Sequence, residues 1–188
     1  MSSPYASTST APPRPPTPTY TYVFFDVEIG GEAAGRIIIR LFSKDLPITC
    51  RNFMELARGV HGFGYKGTKF HRCIPNFMIQ GGDFTTGDGT GGRSIYGPRF
   101  RDENFKYKHT KKGLVAMANT GPNSNASQFY ICCQKTSHLD NRNVVFAEIA
   151  EGMDVVHKIE QCGSAPGDVT PDCVIVDCGA IDWTPQKR

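Results

Sequence analysis

One stretch constrains the fold more than any other: Phe70-His71-Arg72-Cys73-Ile74-Pro75-Asn76-Phe77-Met78-Ile79-Gln80-Gly81-Gly82-Asp83-Phe84. Pro75-Asn76 is a turn-forming pair between two short apolar-rich segments, which predicts a tight β-hairpin. Strand side chains alternate between faces, so Phe70, Arg72 and Ile74 are predicted on one face, beside Met78, Gln80, Gly82 and Phe84 of the partner strand. A fixed cation, an amide and apolar surface are then offered together, with no nucleophile and no evident base. That set suits an uncharged substrate whose charge distribution shifts during reaction.

The remaining chain reads as β-rich, with twenty glycines and few long helical periods. Val23, Phe25, Val27 and Ile29 alternate with Phe24, Asp26 and Glu28, and after Gly30-Gly31 residues 35–42 return as a second strand. Pro47 opens a helix in which Phe53, Leu56, Ala57 and Val60 keep helical spacing to a stop near Gly59. Residues 114–118 and 128–132 form a strand pair around the turn signals of Asn119-Thr120-Gly121-Pro122-Asn123. A strand at 144–149, a helix at 153–161 with Met153, Val156 and Ile159 inward, and a strand at 174–181 complete the domain. Seven or eight short strands with two helices favour a barrel, whose closure removes exposed edges.

The domain is expected over residues 20–183. Residues 1–19, with six prolines and eight serines or threonines, read as a disordered tail, and 184–188 as a short C-terminal tail. A net charge of +3 is too small to argue for nucleic acid or an anionic membrane. There is no run long enough to span a bilayer and no signal-peptide core, and the seven cysteines include no C-x-x-C pair. Reduced thiols in a cytoplasmic or nuclear, non-secreted protein are the expectation.

Several signals are discounted. Gly87, Gly89 and Gly92 satisfy G-x-G-x-x-G, but Arg93-Ser94-Ile95-Tyr96-Gly97-Pro98 follows instead of a helix, so a mobile or tightly turned loop is expected. Ser137-His138-Leu139-Asp140 holds triad residue types without a nucleophile elbow and reads as one helical turn. Lys106, Lys108, His109, Lys111 and Lys112 read as a solvated loop. The five histidines lack metal-ligand spacing, and His71 is taken as a hydrogen-bonded structural residue.

With these residues in hand, the chain resembles the cyclophilin family of peptidyl-prolyl cis/trans isomerases. The resemblance rests on Phe24-Phe25-Asp26-Val27, Tyr65-Lys66-Gly67, the hairpin block, Asp102-Glu103-Asn104-Phe105, Met117-Ala118-Asn119, Gly121-Pro122-Asn123 and Ser127-Gln128-Phe129. It implies an all-β dominated fold with minor α, a closed eight-stranded antiparallel β-barrel capped by two α-helices, with the substrate groove on its outer surface. It also implies isomerisation of X-Pro bonds without cofactor or metal, by Arg72, Gln80 and Asn119. Substrate would be bound by Phe77, Met78, Gly89, Ala118, Thr120, Gln128, Tyr130, His138, Leu139 and Asn143.

The implied partners are proline-containing peptides and protein clients, met by a monomer that binds neither nucleic acid nor membrane. Three positions depart from the family pattern: His138 stands where the family usually has tryptophan, Asn143 where it has histidine, and Tyr130 where it has phenylalanine. Loss of the indole predicts reduced affinity for cyclosporin-type ligands. Two other roles compete: a module that holds proline-containing loops inside an assembly, and a lipocalin-like carrier. The polar groove residues argue against the carrier.

Overall fold

The computed structural model describes residues 21–185. The expected N-terminal tail lies outside them, as do residues 186–188. Eleven short elements follow in order: strands β1 (Tyr22–Ile29) and β2 (Glu32–Leu41), helix α1 (Pro47–Arg58), β3 (Arg72–Ile74), β4 (Met78–Gly81), β5 (Leu114–Met117), β6 (Phe129–Cys132), a 3-10 turn (Ser137–Leu139), β7 (Val145–Glu151), helix α2 (Met153–Glu160) and β8 (Cys173–Ile181). The strands make one antiparallel sheet in the order β3-β4-β6-β5-β7-β2-β1-β8.

Alternation decides which face of β1 goes inward. Val23, Phe25 and Val27 are buried, while the outward Asp26 takes both a 2.7 Å and a 2.9 Å hydrogen bond from Arg36 of β2. Inside the curl, Phe25, Phe53, Tyr65 and Phe129 meet with ring centroids 5.1–5.9 Å apart. Tyr65 satisfies its hydroxyl on the Ser127 carbonyl at 2.7 Å, as a buried phenol must.

Helix α1 begins at Pro47 and stops at Gly59, whose left-handed φ of 66° lets its N–H bond the Glu55 carbonyl. No side chain of its own caps the N-terminus. Glu103 does so from a distant loop, accepting the N–H groups of Ile48 at 3.0 Å and Thr49 at 2.9 Å and the Thr49 hydroxyl at 2.8 Å. A carboxylate at that end also meets the positive pole of the helix dipole. Val60 falls beyond the cap and is exposed, so it is not part of the buried stripe. In α2 the buried residues are Val155, Val156 and Ile159, with Met153 only partly covered.

Two expectations are corrected. The barrel is curled but open, because β3 and β8 form no ladder. One bridge, Lys69↔Val174, with hydrogen bonds Phe70 N to Cys173 O (3.0 Å) and Ile175 N to Thr68 O (2.8 Å), spans the gap. The hairpin is also shorter than its alternation suggested. β3 begins at Arg72, so Phe70 turns into the core against Phe129, while Gly82 at φ 94° ends β4 and sends Phe84 to stack on Phe63 at 5.3 Å.

Candidate active site

Arg72 pairs with Gln80, Cys73 with Ile79 and Ile74 with Met78 across the β3–β4 hairpin, and Asn76 makes the turn at φ 63°. β4 then pairs with β6, setting Gln80 beside Tyr130. These registers place Arg72, Phe77, Met78, Gln80 and Tyr130 around one open groove of about 270 Å³. Ala118 and Asn119, just after β5, and Leu139 and Asn143, around the 3-10 turn, complete its lining. Met78 and Tyr130 are buried floor residues, Phe77 and Leu139 are half-buried walls, and Arg72 is exposed at the side.

His138 sits outside that lining but stacks on Phe77, with centroids 5.5 Å apart and planes at 22°. Gly89, Thr120 and Gln128 line an adjoining cavity of about 300 Å³, which shares Gln80, Ala118 and Asn119 with the groove. All thirteen residues singled out from the sequence therefore lie on or beside one continuous surface depression.

A chain of amides orients the guanidinium. Arg72 Nη1 donates to Gln80 Oε1 at 3.4 Å, and Gln80 Nε2 donates to Gln128 Oε1 at 3.0 Å. Gln128 Nε2 in turn donates to the carbonyls of Gly89 and Gly91 at 2.8 and 2.9 Å. Those glycines belong to a loop wound on Asp83, whose carboxylate accepts the N–H groups of Thr85, Thr86, Gly89 and Gly91 and both threonine hydroxyls. Burial opposes the Asp83 charge, but the Thr86, Gly91 and Gly89 hydrogen bonds outweigh it and hold the carboxyl far below its usual range. Of the two loops expected, mobile or tightly turned, the structure shows the tightly turned one, with the Gly89 and Gly91 N–H groups taken by Asp83.

Among the described residues Arg72 has no ion-pair partner. Its charge is left to face the groove. Asn119 is held through its side chain, donating to the Arg142 carbonyl at 2.8 Å and accepting from Gly121 N at 3.3 Å. Asn143 donates to the Met117 carbonyl at 2.9 Å, so its amide braces the end of β5.

Three features escaped the sequence. His109 is not part of a solvated run: it is fully buried and hydrogen-bonded to Tyr130 and Asp140, while Lys106 and Lys111 are paired outside with Asp45 and Glu148. His71 is not the hydrogen-bonded residue expected, since its ring makes no hydrogen bond among the described residues. Its Nδ1 is buried without a partner, and burial holds the ring below the ordinary imidazole value.

The third feature is Gly167, whose carbonyl accepts from Cys73 N at 3.0 Å. A methyl there would come 3.0 Å from Arg72 Cγ, on a backbone with φ 103°. Gly167→Ala should therefore lower kcat/KM about tenfold by shifting the arginine stem, since small misplacements are costly in preorganised sites. Wild-type kinetics in a properly folded variant would show that Arg72 does not depend on this contact.

Comparison with known families agrees with this geometry. The family model described as cyclophilin type peptidyl-prolyl cis-trans isomerase/CLD matches residues 24–180, which takes in every strand that builds the groove and both helices. The chain belongs to the cyclophilin-type peptidyl-prolyl cis-trans isomerases.

Proposed function

We propose that the 270 Å³ groove is where the X-Pro bond is rotated, and that Arg72 accelerates the rotation electrostatically. Amide resonance sets a barrier of roughly 18–20 kcal/mol to the twist. As the bond twists, the prolyl nitrogen pyramidalises and regains a localised lone pair. Arg72, always protonated and carrying several donors in a rigid fork, donates to that lone pair. The planar ground state offers it no comparable acceptor, so the interaction strengthens in the transition state and raises kcat. No covalent bond is made or broken.

Phe77, Met78, Tyr130 and Leu139 form the cup for the proline ring. The Asn119 backbone holds the flanking peptide, and Gln80 aligns Arg72 while bonding the substrate. The observation that supports this reading most is the guanidinium of Arg72, without an ion-pair partner among the described residues and 3.4 Å from Gln80, on the same groove as Phe77, Met78, Tyr130 and Leu139.

His138 replaces a large indole with a small polar ring on Phe77. A coupled-protease assay should accordingly show X-Pro turnover by the protein, with cyclosporin-type ligands inhibiting only at a Kd above about 1 μM. Absence of turnover would remove the catalytic reading. Sub-micromolar inhibition would show that the missing indole is not needed for macrocycle binding.

A further inference from the structure

The floor of the groove contains a polar chain that X-Pro rotation does not require. Tyr130 Oη lies 2.7 Å from His109 Nε2, and His109 Nδ1 lies 2.9 Å from Asp140 Oδ1. The same carboxylate oxygen accepts the His109 backbone N–H at 2.7 Å. His109 is 0% exposed and Tyr130 4%, and their rings are nearly parallel, at 11°. Asp140 directly follows Leu139, so the chain links the floor of the groove to one of its walls.

The proton positions follow from the partners. The Asp140 carboxyl is held ionised, chiefly by the His109 backbone N–H, and can only accept, so Nδ1 carries the imidazole proton. Burial outweighs the attraction of Asp140 and keeps His109 below the ordinary imidazole value. The ring is therefore neutral near pH 7, Nε2 is an acceptor, and the Tyr130 O–H donates to it. The phenol's polar end is satisfied inside the protein.

We infer that His109 and Asp140 are positioning residues for the proline cup: they fix the Tyr130 ring and keep its hydroxyl proton turned away from the groove, so that the proline ring meets hydrocarbon. The inference rests on the groove being the proline site. Without the imidazole acceptor the hydroxyl must seek a partner on the groove side, placing a polar group where an apolar ring should bind. Protonation of His109 acts in the same direction, because Nε2 then becomes a donor and the phenol must turn its own proton elsewhere. The charged and titratable groups around the imidazole are Asp140 at Nδ1, Tyr130 at Nε2, His138 on the 3-10 turn and Lys108 on its own segment.

The test is a double-mutant cycle in the coupled-protease assay, with His109→Leu made in the wild-type protein and in the Tyr130→Phe protein. The expected result is at least a tenfold loss of kcat/KM in the wild-type background, mostly in KM, and less than twofold in the Tyr130→Phe background. His109→Gln, which still offers an acceptor, should recover most of the loss. Wild-type activity should fall on acidification through an inflection below the usual imidazole value, and Tyr130→Phe should lack that inflection.

Should His109→Leu fail to fold, His109→Gln and the two pH profiles decide the matter. Equal losses in both backgrounds, or an inflection that survives Tyr130→Phe, would overturn the positioning role. Tyr130 NMR signals that ignore a saturating X-Pro peptide would instead overturn the groove assignment itself.

Discussion

Arg72→Ala should reduce kcat/KM for an X-Pro peptide by about 10²–10³, the usual loss when one preorganised donor to developing charge is removed. That corresponds to roughly 3–4 kcal/mol of transition-state stabilisation. Stability should change little, because the side chain is exposed and makes one long hydrogen bond, 3.4 Å to Gln80. Arg72→Lys should recover only a small part of the loss. An ammonium is more strongly hydrated and lacks the planar fork with which a guanidinium can meet two acceptors at once. Full activity in the lysine variant would mean that charge alone suffices at this position.

Asp83→Ala should be the most damaging single change to the described fold outside the aromatic core. Asp83 is 2% exposed, and its carboxylate satisfies four backbone N–H groups and two hydroxyls. A buried donor left unpaired costs about 1–3 kcal/mol, so a loss of roughly 3 kcal/mol or more is expected in denaturant unfolding. Activity should fall as well, because the loop carbonyls that hold Gln128, and through it Gln80 and Arg72, would move.

The pH dependence has a definite sign. A carboxyl held down in the native state stabilises the fold above its unfolded value of about 4, and that contribution drains away as pH falls below it. The stability difference between wild type and Asp83→Ala should therefore shrink below about pH 4. A constant difference across that range would show that the Asp83 charge is not what organises the loop.

How much of this is legible in the sequence depends on distance along the chain. The hairpin is readable because Arg72 and Gln80 are eight residues apart around Pro75-Asn76, so local alternation suffices to bring them together. Phe70 departs from that alternation for a local reason too: a three-residue strand cannot carry the pattern one residue pair further back. The groove as a whole comes from the family resemblance, since no periodicity brings residues 72, 119, 130 and 143 together.

The burial of His109 is hidden because Lys106, Lys108, Lys111 and Lys112 surround it. Only the β5–β6 pairing and the 3-10 turn show that Tyr130 and Asp140 reach it from either side. Glu103 as a helix cap and Gly167 as a backstop to Arg72 likewise exist only as long-range contacts. Val60 keeps helical spacing by coincidence, beyond a glycine that has already ended the helix.

The charge at position 72 is most directly tested by on-enzyme exchange. NMR exchange spectroscopy at saturating X-Pro peptide separates the cis–trans rate within the complex from affinity. If the guanidinium acts on the twisted imide, Arg72→Ala will slow that rate at least about a hundredfold, with peptide Kd changed by no more than about threefold. An unchanged on-enzyme rate with a weakened Kd would contradict this, and would make Arg72 a residue that holds the peptide without turning the bond.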